Sequence, residues 1–193
     1  MPNAITMLKS DHATVKRLLR ELEETTARGT KVRERLVGDI ERELKIHSQL
    51  EEELFYPTFK KMAENSEAED LFYEATEEHH VVDMVLPELK STPVKAPQFA
   101  AKSKVLKELI EHHVREEEGE MFPQARRLMT DEQLRELGEA MAARKKTLQA
   151  MWTNPALKPV KMVQSAMQKV MPAKMKNAKA NAIAAMVPKE SRR

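Results

Sequence analysis

The feature that most constrains the fold is a string that occurs twice, 66 residues apart. Residues 47–57 read HSQLEEELFYP and residues 113–123 read HVREEEGEMFP, and both keep the frame H-x-x-x-E-(x)5-P. A spacing of four places a histidine and a glutamate on the same face of an α-helix. The sequence therefore predicts two helices that carry the same pair of ionisable side chains.

Four segments show apolar residues at helical spacing, each with a histidine among them. The stripes are Ile5, Leu8, His12, Val15, Leu19 and Leu22; Leu36, Ile40, Leu44, His47, Glu51 and Leu54; Phe72, Ala75, His79, Val82, Leu86 and Leu89; and Leu106, Leu109, His113, Glu117 and Met121. Each stripe aims its members at one interior. The pattern predicts an all-α protein, an antiparallel up-down four-helix bundle. We expect the second and fourth helices to end at Pro57 and Pro123 or shortly after.

The two halves of the bundle repeat each other. His12 and His79 are 67 residues apart, and DHATVKRLLREL at 11–22 aligns with EHHVVDMVLPEL at 78–89. An internal helix-pair duplication predicts approximate two-fold symmetry, in which equivalent residues converge on the axis. A fifth helix follows, with Thr130 and Gln133 as a capping box, and we expect it to pack outside the bundle.

Composition supports this fold and excludes several kinds of site. Charged residues make up 33% of the chain and aromatic residues 4%, with only 4 glycines, as in helical soluble proteins. Cysteine is absent, which excludes disulfides, thiolate catalysis and cysteine-based zinc sites. Since neither a membrane span nor a signal peptide is evident, the sequence predicts a cytoplasmic protein.

Charge divides the chain into two regions. Residues 158–193 carry nine Lys and Arg against one Glu, a net of +8, so the rest carries −6 of the total +2. We interpret residues 1–151 as the bundle with its accessory helix, and 152–193 as a basic Ala/Lys/Met-rich tail, partly helical or disordered. The tail is expected to contact an acidic partner, a nucleic acid or a membrane surface.

Burying ionisable groups costs several kcal/mol unless they are paired or bind metal. A single core histidine or one His/Glu pair has an ordinary structural explanation, but here the pattern recurs on four helices in matching registers. We therefore predict one metal site. Its candidate ligands are His12, His47, Glu51, His79, His113 and Glu117. Imidazole with carboxylate suits a pair of transition-metal ions, with both glutamates as bridges and a position left open for a small ligand.

Neighbouring residues leave alternatives at this site. His79 and His80 are adjacent, as are His112 and His113. Spacing from the prolines and from the matching leucines selects His79 and His113, so His80 and His112 are expected on the helix flanks. The alternative is that His80 or His112 supports a ligand or replaces one. Tyr56 is interpreted as ordinary packing at the helix end, with a position near the metals as the alternative. Glu52, Glu53, Glu116 and Glu118 are interpreted as solvated faces that make the approach to the site acidic.

The segments DHATVKRLL, IHSQLEEELFYP, EEHHVVDMV and EHHVREEEGEMFP resemble the four helix motifs of the hemerythrin-like HHE cation-binding domain family, bacterial type, over roughly residues 1–150. The resemblance implies a non-haem di-iron centre: two iron ions with an oxo or hydroxo bridge, Mn or Zn being less favoured. It also implies that the six candidate residues are its ligands.

Two functions are consistent with such a centre. In the first, the protein binds or turns over a small ligand such as O2, H2O2 or NO, and catalase-like peroxide removal lies within the family's range. In the alternative, it is a non-enzymatic iron- or oxygen-responsive protein that acts through a partner. Sequence alone leaves open whether the chain is a carrier, a sensor or an enzyme.

Overall fold

The structure, a computed structural model, describes residues 3–63 and 66–154. All regular elements among them are helical, which confirms the predicted all-α class. The α-helices are α1 Ala4–Glu23, α2 Thr30–Leu50, α3 Tyr56–Met62, α4 Ser66–Ser91, α5 Pro97–Glu116, α6 Phe122–Leu128 and α7 Asp131–Thr153. Two π-helical segments, π1 (Glu51–Phe55) and π2 (Glu117–Met121), join α2 to α3 and α5 to α6. The order α1, α2, π1, α3 is thus repeated as α4, α5, π2, α6.

The helices run further past the prolines than the sequence pattern predicted. Both continue five residues beyond Pro57 and Pro123, to Met62 and Leu128. Each proline stands at the second position of a new α-segment, directly after a π-helical turn. The missing proline N–H costs one hydrogen bond to the preceding turn, but the helix continues past it.

The π-helical turns change which residues face the interior. In continuous α-helix, Tyr56 would lie about 140° around the axis from Glu51. In a π-turn the hydrogen bond spans five residues, so residue i+5 returns above residue i. The Tyr56 N–H donates to the Glu51 carbonyl, and the Phe122 N–H donates to the Glu117 carbonyl. As a result, Tyr56 and Phe122 are buried together with the residues that precede them.

The interior consists of two apolar clusters. One contains Ile5, Leu8, Leu50, Phe55, Phe59 and Met121, among others, and the second contains Val15, Leu19, Ile40, Val82, Leu86 and Leu106, among others. The histidine of each stripe lies near the boundary between the two sets. The ionisable side chains therefore form a layer inside an otherwise apolar core.

The fifth helix begins as predicted. The backbone N–H of Gln133 donates to the Thr130 hydroxyl at 3.2 Å, and the Thr130 N–H donates to the Gln133 side chain at 2.8 Å. This reciprocal pair is a capping box. Helix α7 then packs against α1, α2 and π1, that is, against the first half of the repeat.

One compact unit spans Met1–Thr153. Residues 155–193 lie outside the described residues, so the expectations for the basic tail remain predictions. In the described ranges, none of the helices combines the length and the apolar character that crossing a bilayer requires.

Candidate metal centre

All six predicted ligands lie in the buried layer, and none is more than 7% exposed. Among these six residues, two groups of donor atoms fall within 4.8 Å of one another. The first group is His12, His47, Glu51 and Glu117, and the second is Glu51, His79 and His113. The structure therefore brings together the residues that the sequence pattern selected.

The histidines meet in pairs through their Nε2 atoms. His12 Nε2 lies 3.1 Å from His47 Nε2, and His79 Nε2 lies 3.3 Å from His113 Nε2. Two donors that are each about 2.1 Å from one ion, at angles between octahedral and tetrahedral, are about 3.0–3.4 Å apart. Each pair thus has the spacing of two ligands to one cation.

The two glutamates lie between the histidine pairs. Glu51 Oε1 is 3.1 Å from His47 Nε2, and its Oε2 is 3.4 Å from His79 Nε2. Glu117 Oε2 is 3.1 Å from His12 Nε2 and 3.5 Å from His113 Nε2. Each carboxylate therefore contacts both halves of the repeat, which is the position of a bridging ligand.

Several of these carboxylate oxygens lack a hydrogen-bond partner. Both oxygens of Glu51 and Oε2 of Glu117 are buried and accept no hydrogen bond. A buried carboxylate oxygen without a partner carries a large desolvation cost. A cation bound between the histidine pairs would satisfy these oxygens, and imidazole and carboxylate are suitable donors for it. The residues present therefore fit a metal centre.

The outer nitrogen of each histidine faces a carboxylate. The four contacts are His12 Nδ1 to Glu118 at 2.9 Å, His79 Nδ1 to Glu52 at 2.9 Å, His113 Nδ1 to Glu78 at 2.7 Å and His47 Nδ1 to Asp11 at 3.7 Å. The last is an ion-pair distance rather than a hydrogen bond. Such contacts fix the tautomer that leaves Nε2 free and make it a better metal ligand.

Glu52 and Glu118 were expected on solvated faces; their side chains are 49% and 30% exposed, and each also contacts a histidine of the centre. Each follows directly after a candidate bridging glutamate but reaches a histidine on another helix. Glu52 and Glu118 are 66 residues apart, the same offset as the two repeated strings. This repetition was the sequence signal that could have identified both as partners of the histidines.

Tyr56 belongs to the site rather than to ordinary helix-end packing. Its hydroxyl donates to Glu117 Oε1 at 2.9 Å, and its ring centroid is 5.6 Å from that of His79. Burial and the nearby charge of Glu117 raise the pKa of Tyr56 well above its usual value, so it remains an O–H donor. The equivalent residue in the other half, Phe122, stacks on His12 at 5.7 Å and has no hydroxyl.

The structure buries the member of each histidine doublet that the leucine and proline spacings selected. His79 and His113 are buried in the layer. His80 is exposed on α4, and the side chain of His112 is 51% exposed on α5. The two outward histidines therefore do not belong to the buried groups of donor atoms.

Helix α7 supports the first half of the site, a role that sequence reasoning missed. Lys145 binds Asp11, the carboxylate that faces His47. The adjacent Arg144 forms a double contact with Glu53, at 2.7 and 2.9 Å. The accessory helix thus holds an acidic group of the centre in place.

A small cavity of about 10 Å³ adjoins the four histidine rings. The rest of its lining is mainly apolar and includes Val15, Leu44, Val82 and Ile110, one from each helix of the two pairs. A volume of this size holds about one water-sized species.

In the metal-free chain, the histidines and carboxylates of the layer stabilise one another's charged forms and so shift one another's pKa values. Burial alone would lower the pKa of His47, but Glu51, Asp11 and Glu117 outweigh it and raise the pKa to about 10. At His79, burial also acts to lower the pKa, but Glu51 and Glu52 raise it to about 9. Burial alone would raise the pKa of Glu51, but His47 and His79 hold it well below its usual value.

Comparison with known proteins yields one family and several relatives. A family model, the hemerythrin HHE cation binding domain, matches residues 3–125. The uncharacterized protein Rv2633c of Mycobacterium tuberculosis is 32% identical over 143 residues, covering 74% of this chain and 84% of that protein. A DNA nickase of Nostoc sp. is 27% identical over 143 residues, but this chain spans only 39% of its length.

A solved structure is also similar. It is the crystal structure of a hemerythrin HHE cation binding domain-containing protein from Mycobacterium kansasii, a homologue of Rv2633c. The TM-score is 0.68 at 33% identity, and the match covers 81% of this chain and 98% of that chain.

We expect the stability of the metal-free protein to fall as the pH rises from 7 to 8.5. The folded chain keeps protons on His47 and His79 that the unfolded chain releases near pH 6.5. This stabilisation is complete below pH 6.5 and is lost as the pH approaches 9 to 10. For each proton that the folded chain retains and the unfolded chain has released, the free energy of unfolding falls by about 1.4 kcal/mol as the pH rises by one unit. Urea unfolding in the presence of a chelator measures the free energy of unfolding at each pH. A free energy that does not change between pH 7 and 8.5 would contradict the prediction.

We expect Lys145→Gln to weaken metal binding, because Asp11 loses the cation that holds it beside His47. Loss of such a supporting contact typically costs about 10–100-fold in metal affinity. The matched control is Lys146→Gln, since Lys146 is the next residue and is exposed. Competition with a chelator of known affinity gives the measurement. Equal affinities for the two variants would exclude a role for α7 at the centre.

Proposed function

Because this chain belongs to the hemerythrin HHE cation-binding domain family, we propose that it is a non-haem di-iron protein that binds or turns over a small ligand such as O2, H2O2 or NO. The proposed iron ligands are His12, His47, Glu51, His79, His113 and Glu117. Mn and Zn are less favoured occupants, since four imidazoles with two carboxylates suit iron well.

The observation that carries the proposal is the position of Glu51. Its two oxygens face different histidines, Oε1 toward His47 and Oε2 toward His79, at 3.1 and 3.4 Å. A carboxylate with one oxygen on each side suits a pair of ions better than a single ion. Without cations, both oxygens remain buried without a hydrogen bond.

An iron pair, when bound, would supply an open coordination position and electrons for redox chemistry with a small ligand. The chain supplies the rest of the environment. The carboxylates on the histidine Nδ1 atoms orient the rings, and Tyr56 holds Oε1 of Glu117 by donating its O–H. The apolar clusters on both sides of the layer exclude bulk water from it.

The cavity beside the histidines supports a small ligand rather than an organic substrate. It holds about 10 Å³ and is lined mainly by aliphatic side chains next to the four rings. A water-sized molecule fits such a space, whereas larger substrates need hundreds of cubic ångströms.

We expect protein loaded anaerobically with Fe(II) and then exposed to air to hold about two irons per chain and to absorb in the near-UV. His79→Ala removes a proposed ligand, whereas His80→Ala changes the adjacent exposed histidine and serves as its control. Metal analysis should show loss of iron in the first variant and full iron content in the second. Wild-type protein without stoichiometric iron would refute the proposal.

A second candidate is a non-enzymatic iron- or oxygen-responsive protein that acts through a partner. The charge distribution favours this alternative, because residues 158–193 carry a net +8 beside a region of net −6. A basic segment of this kind attracts an acidic partner, a nucleic acid or an anionic membrane surface. In this alternative, the centre reports on iron or oxygen and the tail provides the contact.

Peroxide turnover separates the two candidates. If the protein is an enzyme, the iron-loaded chain should evolve O2 from H2O2, and deletion of residues 158–193 should leave the rate unchanged. Glu51→Ala should abolish the activity, because the carboxylate that joins the two ion positions is lost. An oxygen electrode measures the rate. Iron-loaded wild-type protein that evolves no O2 would favour the responsive protein.

A further inference from the structure

The two halves of the repeat differ at one surface next to the centre. Three positions of the first half have different residues in the second: Ile46 corresponds to His112, Leu50 to Glu116 and Asp11 to Glu78. Ile46 and Leu50 are buried in the cluster that includes Met141 of α7. The equivalent positions of the second half place the exposed His112 beside the partly exposed Glu78 and Glu116.

These three side chains converge, and we refer to Glu78, His112 and Glu116 as the outer cluster. His112 Nε2 lies 3.4 Å from Glu78 Oε1 and 3.1 Å from Glu116 Oε1. One donor atom from each lies within 4.8 Å of the others. The two measured distances match the separation of about 3.0–3.4 Å between two ligands of one small cation.

Glu78 connects the outer cluster with the buried centre. Its Oε1 faces His112, while its Oε2 accepts a hydrogen bond from His113 Nδ1 at 2.7 Å. Because the two oxygens have separate partners, Glu78 can bind a cation on the outer side without releasing His113.

A narrow cavity lies behind the outer cluster and reaches the centre. Glu74, Glu78, Glu116 and Glu117 contribute to its lining, and it has room for about one water-sized species, about 10 Å³. Glu117 is 1% exposed, and its Oε2 has no hydrogen-bond partner. A buried carboxylate with one oxygen that accepts no hydrogen bond therefore contributes to the lining of the same cavity.

We propose that the outer cluster of Glu78, His112 and Glu116 is a second binding site for a divalent transition-metal ion, from which the ion passes along the cavity to Glu117 and the buried centre. The delivery role rests on the proposed function of the centre, whereas binding at the outer cluster does not.

The chemistry of the cluster favours this class of ion. Imidazole with two carboxylates suits Fe(II), Mn(II), Co(II) or Zn(II) better than Ca(II) or Mg(II), which prefer oxygen ligands alone. The competing explanation is a plain surface ion pair, since His112 and Glu116 are four residues apart on α5. That explanation predicts no metal affinity.

Cobalt binding tests the outer site. The iron-loaded full chain is dialysed against Co(II), and cobalt and iron are counted by elemental analysis. We expect one cobalt per chain in addition to the iron, with affinity at least about tenfold weaker in His112→Ala and in Glu116→Gln. The matched control is His80→Ala, which changes the exposed histidine next to the buried His79. This variant should bind cobalt as the wild type does. Equal cobalt binding by wild type and His112→Ala would overturn the proposal.

Iron uptake tests the delivery role. Unloaded chain is mixed with Fe(II) in air, and the growth of near-UV absorption is followed. We expect His112→Ala and Glu116→Gln to fill the centre several-fold more slowly than wild type and His80→Ala, with the same final iron content and spectrum. Equal rates in all four proteins would refute delivery through the outer cluster.

The two proposals fail in different ways. If the wild type takes up no iron at all, the proposed function is wrong. Cobalt dialysis of the unloaded chain, with wild type compared to His112→Ala, then still decides whether the outer cluster binds a cation.

Discussion

The structure depends on the burial of six ionisable side chains between two apolar clusters. Glu51 and Glu117 are almost completely removed from water, and a carboxylate in such surroundings is costly without charged partners. Four imidazoles supply these partners from four different helices. Since each glutamate contacts histidines of both halves, the layer is satisfied only when all four helices are in register. Interactions in the centre therefore specify how the helices align, and cations would complete them.

The π-helical turns follow from the same requirement. Each begins at a candidate bridging glutamate, at Glu51 and at Glu117. A regular α-helix would turn the aromatic side chain five residues further on away from the interior. The wider turn brings it back, and in the first half this lets Tyr56 donate to Glu117 of the second half. The irregular helix thus lets one half of the repeat donate a hydrogen bond to the candidate bridging glutamate of the other.

Helical periodicity was sufficient to predict the helices and the buried layer. His12, His47, Glu51, His79, His113 and Glu117 all stand on apolar stripes with spacings of three and four, and the 66- and 67-residue offsets related the two halves. The length of the helices beyond Pro57 was not predicted, because the period of 3.6 contains no information on a π-turn. Two consecutive buried aromatic residues before a proline were the available signal.

Contacts between helices were beyond the reach of periodicity. Glu52 lies about 100° around the axis from Glu51, and the pattern of its own helix therefore marks it as solvent-facing. Its partner, His79 Nδ1, belongs to another helix, and only the packed structure shows that this nitrogen points outward. The same applies to Lys145, whose role depends on where α7 docks.

Divergence of the repeat then gives the two sides different properties. Asp11 is buried and pairs with Lys145 of α7, and Ile46 and Leu50 of the same half are buried in an apolar cluster, whereas Glu78 is partly exposed and contacts His112. The first side is closed by packing, whereas the side of α4 and α5 presents the exposed side chain of His112 to solvent.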